Sequence, residues 1–255
     1  MLFTYWEGDQ FSYFHYLTIL SLYKLNPGKE ITVYTSTSPQ KDLKITWKGN
    51  EHKKIITKTV SFSEILPMVT LVDVDFEKTY GITNNLSVVH KGDCIRILKL
   101  YEHGGVWFDM DILFVKPLPN YILDPPYQCM THSYHGTVAT GIITCQKGST
   151  IAALCRDNLF EKIKNKGEIV DYQWLGCDLW KEVAQTCGIC IMDTHDVYPY
   201  LYNNLGELYF SDRDVLTENT YAIHWYNGAP LTRLAINNFD INENYVFNKY
   251  VRLIL

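Results

Sequence analysis

The sequence holds no stretch able to cross a membrane. Its longest apolar run, Phe11 to Leu25, is interrupted by His15 and Lys24 and is too short for the ~30 Å of a hydrocarbon core. No leader is visible either: the chain opens at once on the strand-like Met1-Leu-Phe-Thr-Tyr-Trp6, without a basic segment or a small-residue cleavage site. Positive charge is not in excess. With 23 Lys and Arg against 28 Asp and Glu, the formal net charge is −5, which excludes a non-specific nucleic-acid or anionic-membrane binder, since either needs a basic face. Internal repeats, low-complexity tracts and Pro/Ser-rich linkers are missing, so a single domain over residues 1–255 is expected. The seven cysteines are odd in number and unevenly scattered, which argues against a disulfide framework and for a reducing compartment. These absences predict a soluble, cytoplasmic protein.

What is present suits a sizeable core: 47% of residues are apolar and 20% charged, which excludes intrinsic disorder. Local pattern predicts a strand over Leu2–Trp6, a helix from about Gln10 to Leu25 capped by Asp9, a stop at Asn26-Pro27-Gly28, and a β-branched strand over Ile31–Thr35. Such a strand–helix–strand unit predicts a parallel pair. Residues 40–60, with Lys53 and Lys54 among β-branched residues, read as a short exposed strand pair whose lysines form a solvated face. Helical periodicity over Ser87–His103 ends at Gly104, and strands follow at Val106–Phe108, Ile112–Val115 and Thr140–Thr144. Helices near Thr150–Ile163 and Trp174–Gln185, with strands at Ile189–Met192 and Tyr221–Trp225, complete the alternation before a mixed tail. The fold class is α/β with a mixed, mainly parallel central sheet flanked by helices, whose ligand crevice lies at the carboxyl ends of the strands.

The most informative segment is Lys91 to Pro117, KGDCIRILKLYEHGGVWFDMDILFVKP. Asp109 and Asp111 flank one residue where an apolar strand ends, and alternation turns residues i and i+2 to the same side. Two hard oxygen ligands suit Mn²⁺ or Mg²⁺ and leave coordination positions for phosphate oxygens. Gly104-Gly105 before them allows close backbone approach. Asp93 and Arg96, three residues apart, share one helix face, where a hydrogen-bond acceptor stands beside a guanidinium that donates. Taken by themselves these two residues also read as an intrahelical ion pair, and a bare D-x-D as a polar turn.

The segment resembles the glycosyltransferases whose sugar-binding region carries a D-x-D motif: the family 32 mannosyltransferase-like enzymes and, more distantly, the clostridial toxin glucosyltransferase domains. Their pattern, S-D-x-x-R, a helix, then G-G-x-Y-x-D-x-D, appears here as Gly92-Asp93-Cys-Ile-Arg96 and Gly104-Gly105-Val-Trp107-Phe-Asp109-Met-Asp111, with the same sixteen residues from Asp93 to Asp109. Gly92 replaces Ser and Trp107 replaces Tyr, and neither departure touches a charged group. The resemblance implies a GT-A (Rossmann-like) fold with a nucleotide-sugar-binding half, 1–118, and an acceptor-side half, 119–255. It implies a hexosyltransferase using a UDP- or GDP-linked sugar donor and a glycan or glycoconjugate acceptor, with a lean to retention. Asp109, Asp111 and His224 would hold the metal, Asp93, Arg96 and Trp107 would orient the sugar, and Trp6 would stack on the base. Asp178, in a Gly-containing segment before a helix, is the candidate acceptor-side carboxylate among Asp171, Asp178 and Asp193, with helix capping as its plain structural reading.

Two other readings compete for the function: a nucleotide-sugar-binding module without turnover, and an aspartyl phosphatase, since Phe108-Asp109-Met-Asp111 also matches the haloacid-dehalogenase D-x-D. Two other clusters are weaker. Asp73-Val-Asp75 is a second D-x-D without the helix-Gly-Gly-strand approach, and Cys177, Cys187, Cys190 and His195 could form a zinc site only across a helix-to-strand passage.

Overall fold

Apolar β-rich runs and amphipathic segments alternate along this chain, and the computed structural model turns that alternation into a layered sheet. It describes residues 1–8, 10–38, 56–135, 137–165 and 172–255. In chain order the elements are β1 (Leu2–Tyr5), β2 (Gln10–Ser12), α1 (Tyr13–Leu25), β3 (Ile31–Ser36), β4 (Thr59–Ser61), β5 (Thr70–Val74), α2 (Phe76–Tyr80), α3 (Val88–His103), β6 (Gly105–Phe108) and β7 (Ile112–Phe114). The rest are α4 (Asn120–Leu123), β8 (Cys129–Tyr134), β9 (Thr137–Cys145), α5 (Thr150–Lys164), α6 (Cys177–Cys187), β10 (Cys190–Met192), α7 (Leu205–Phe210), β11 (Ala222–His224), α8 (Pro230–Asn237) and α9 (Val246–Ile254).

Seven strands form the central sheet in the order β10-β8-β9-β6-β1-β3-β5. The β10–β8, β6–β1, β1–β3 and β3–β5 pairs are parallel, and β9 runs antiparallel to both of its neighbours. Strand alternation sorts the core. Phe3, Tyr5 and Trp107 face the layer that holds Ile95 and Leu98 of α3, Leu159 of α5 and Leu179 of α6. Leu2, Val106 and Phe108 face the other way, towards Ile19 and Leu22 of α1. A third cluster joins α1 to α7, α8 and α9 through Phe14, Tyr209, Ile236 and Phe247.

Several expectations are met: β1 and β3 pair in parallel, and α3 starts at Ser87, whose hydroxyl accepts from His90 N, and stops at Gly104 with φ 66°. Both glycines of Gly104-Gly105 are required by close approach. A Cβ on Gly104 would lie 2.5 Å from Lys147 N, and one on Gly105 would lie 2.5 Å from Met1 O.

Others are corrected. The first helix begins at Tyr13, because Gln10–Ser12 pairs with β4 and Ser12 closes a capping box: its hydroxyl accepts from His15 N, and its own N–H donates to His15 Nδ1. The proposed cap, Asp9, lies outside the described residues, as do Lys53 and Lys54. The second D-x-D is structural, with Asp75 capping α2 by accepting from Lys78 N at 3.0 Å. Against the expectation from cysteine number, Cys129 and Cys145, register partners on β8 and β9, form a disulfide. Among the described residues no helix is long and apolar enough to cross a membrane.

Candidate active site

The site is built at the carboxyl end of β6. Trp107 and Asp109 are two residues apart and share the side that faces α3, so Arg96 of α3 meets both. Its guanidinium lies 4.8 Å from the centre of the Trp107 ring and donates to Asp109 Oδ1 at 2.8 Å. The indole N–H of Trp107 donates to the same oxygen at 2.7 Å. Arg96 also reaches Asp93 Oδ1 at 3.1 Å, the expected i, i+3 neighbour. Asp93, Arg96, Trp107 and Asp109 are thus one connected group, and within it Trp107 is buried and holds Asp109 in place.

Asp111 is supplied with its partner by the C-terminal part of the chain. Strand β11 pairs antiparallel with β7 in a register that sets His224 opposite Ile112, the residue after Asp111. Trp225 N continues that ladder by donating to Asp111 O at 2.8 Å. His224 Nε2 then lies 3.2 Å from Asp111 Oδ1, while Asn227 N donates to Asp111 Oδ2 at 2.9 Å. One ligand atom from each of Asp109, Asp111 and His224 falls within 4.8 Å of the others, the one such group of three among the described residues. Cys177, Cys187, Cys190 and His195 form no comparable group there.

The three residues fit a small divalent cation. The 3.2 Å between His224 Nε2 and Asp111 Oδ1 is close to the ~3 Å separating adjacent ligands in an octahedron of ~2.1 Å bonds. His224 Nδ1 is buried without a hydrogen-bond partner, so the ring is held from its Nε2 side, which faces Asp111. Electrostatics separate the two acids. Burial raises Asp109 despite the pull of Arg96, with the Asp111 charge adding to the rise. Asp111 is partly buried and desolvated too, yet the charge and hydrogen bond of His224 and the amide of Asn227 hold it below its ordinary value. Burial works against charge on His224, but Asp111 and then Asp109 outweigh it and the imidazole is raised. The imidazole of His224 and the guanidinium of Arg96 are thus the two basic groups that face these acids.

The remaining predicted residues lie around this centre. Trp6, just past β1, packs on His15 at 4.7 Å and edge-on to Phe11 at 5.6 Å, and stays partly exposed. Asp178 stands in the first turn of α6 and does not cap it: the N-cap is Gly176, without a side-chain bond. Gly176 lies against Asp93, so the start of α6 adjoins the Asp93–Arg96 pair. Asp193 is exposed and caps the short 3₁₀ turn Thr194–Asp196, and Asp171 lies outside the described residues. The sequence reading missed Tyr198 and Tyr226, whose rings lie 5.1 and 4.3 Å from that of His224. Tyr226 sits within the stretch that flagged His224, but nothing local to Tyr198 marks it.

No curated protein sequence matches the chain. Among solved structures, the PaToxG glycosyltransferase is similar with a TM-score of 0.50 at 15% identity, over 99% of this chain and 84% of that one. The glycosyltransferase GlyE of Streptococcus pneumoniae TIGR4 gives 0.49 at 12% identity, over 99% of this chain and 62% of its own. The galactosyltransferase LgtC, in complex with donor and acceptor sugar analogues, gives 0.47 at 13%, over 88% and 87%. At such identities the likeness is one of fold, and the fold is of the GT-A type. The family described as capsular polysaccharide synthesis protein matches residues 69–204. That match spans just over half of the 255 residues and includes Asp93, Arg96, Asp109 and Asp111, so the chain belongs to the capsular polysaccharide synthesis protein family.

Proposed function

We propose that this protein transfers a hexose from a UDP- or GDP-linked sugar to a hydroxyl of a glycan or glycoconjugate, with Mn²⁺ or Mg²⁺ held by Asp109, Asp111 and His224. The observation that carries this reading is the convergence of those three side chains at a strand end of the sheet, where α/β folds bind their ligands. A divalent cation bound there would supply Lewis-acid stabilisation of the charge that gathers on the departing diphosphate.

The chain's own groups do the rest. Arg96 is fixed by Asp93 and Asp109, and its remaining donors serve the sugar or the phosphate nearest it. Asp93 keeps Oδ2 buried and without a partner, an acceptor available to a sugar hydroxyl. Trp107 positions Asp109, and Trp6 offers a partly exposed ring for the base. As the bond from C1 to the diphosphate oxygen breaks, C1 takes on oxocarbenium character, a new bond forms to the acceptor oxygen, and the acceptor hydroxyl gives up its proton. If configuration inverts, Asp178, in the first turn of α6, is the carboxylate that takes that proton. If it is retained, as the family 32 resemblance favours, a leaving phosphate oxygen takes it.

Asp111→Asn keeps the side-chain volume and removes the charge that pairs with His224. The variant is expected to lose transfer and Mn²⁺-dependent binding of UDP or GDP while melting as a folded protein. Isothermal titration with each nucleotide and Mn²⁺ checks this, and undiminished affinity in the variant would overturn the assignment.

A further inference from the structure

We infer that Tyr134, Tyr202 and Tyr226, standing together beside His224, form the platform for an uncharged pyranose ring of the acceptor. The inference rests on the reading of Asp109, Asp111 and His224 as the donor end of the site. The three tyrosines arrive from separate parts of the chain: Tyr134 ends β8, Tyr202 precedes α7, and Tyr226 lies two residues past the end of β11. Their rings are contiguous. Tyr226 lies 4.3 Å from His224, 6.1 Å from Tyr134 and 5.9 Å from Tyr202, and the Tyr134 hydroxyl accepts from Tyr202 N at 3.3 Å. Tyr198 closes the back of the group at 5.5 Å from Tyr134, buried and with its hydroxyl accepting from Gly141 N. The contacts among these rings are tilted or edge-on, and Tyr134, Tyr202 and Tyr226 remain half-buried.

Two further observations point to a ligand. Among the described residues, the two non-glycine positions with positive φ are His135, at 50°, and Tyr226, at 51°, and both belong to this wall. His135 follows the last residue of β8, Tyr134, which pairs with Thr137 of β9, and Asn or Gly is the ordinary choice for such a φ. No hairpin accounts for Tyr226, where glycine would adopt the same conformation freely. The second observation is unmet polarity. Asn227 Oδ1 is buried without a partner, and the Tyr226 hydroxyl beside it in sequence is buried on the Tyr134 side. Half-buried tyrosines present an apolar ring and a polar tip, which matches the C–H face and hydroxyl rim of a pyranose. They bring no charge, which favours a neutral sugar over a phosphate or carboxylate.

Saturation-transfer NMR on the full chain tests this, with UDP or GDP and Mg²⁺ present and methyl gluco-, galacto- and mannopyranosides as probes. At least one glycoside is expected to receive saturation at its ring C–H protons. Tyr202→Ala should weaken that binding at least about fivefold, the loss expected for one anchoring contact. Tyr226→Phe keeps the ring and removes the hydroxyl, so it should weaken binding while the variant still melts as a folded protein. Nucleotide binding without any glycoside binding would overturn the inference and leave the proposed function standing. So would glycoside binding that neither variant diminishes. Failure to bind nucleotide would overturn both.

Discussion

Asp93 shows how much of this site is held against its own electrostatics. One oxygen meets Arg96 at 3.1 Å, the other is buried without a partner, and burial pushes the carboxyl up from 3.8 to about 7 against the pull of Arg96. An acid raised by folding contributes stability that is fully present below its unfolded value and is lost as the pH climbs through the folded one. The protein should therefore lose stability between about pH 4 and pH 7 on account of this residue. Asp93→Asn is expected to melt above the parent at pH 8 by on the order of 2–4 °C or more, the two converging below pH 4. Equal melting temperatures at pH 8 would show that Asp93 is not desolvated. A residue that weakens the fold where it stands needs another reason to be there, and the pattern Asp93-x-x-Arg96 already marked it in the sequence. Trp107 is the reverse case: the motif flagged the position, but only the folded chain shows its indole N–H given to Asp109.

At the scale of elements, legibility followed the strength of the local signal. Helix α3 carries a cap, a helical apolar repeat and a terminal glycine, and its ends agree with the sequence reading to within a residue. Strand β5 escaped notice because it is short and largely exposed, with Val72 and Val74 packed on the core, and β8 because its residues Cys129–Tyr134 are half polar. Helices α8 and α9 are short and read only as a mixed tail, and α7 falls in a stretch for which the pattern predicts no element. The β8–β9 hairpin brought the correction with a chemical consequence. Cysteine parity and scatter carry no information about cross-strand register, and register is what sets Cys129 opposite Cys145. Thiol titration of the denatured, unreduced protein is expected to find five thiols per chain, and seven after reduction. Seven before reduction would remove the bond.

Across the whole molecule, the central sheet draws strands from both sides of residue 118, and the candidate metal group does the same, taking Asp109 and Asp111 from one side and His224 from the other. A ligand bound there ties the two parts together in the native state alone and raises its melting point by mass action. Nucleoside-diphosphate sugars should raise the melting temperature with Mn²⁺ present and do so far less without it; a shift indifferent to Mn²⁺ would count against the metal centre. The alternation of strands and helices and the spacing of Asp93, Arg96, Asp109 and Asp111 were available from the sequence because each is a local pattern, repeated within one element or across one turn. The placing of His224, the tyrosines around it and the cross-strand disulfide was decided by tertiary structure. Each depends on which strands pair and in what register, and that choice is made by burial summed over the whole core, which no short window of residues contains.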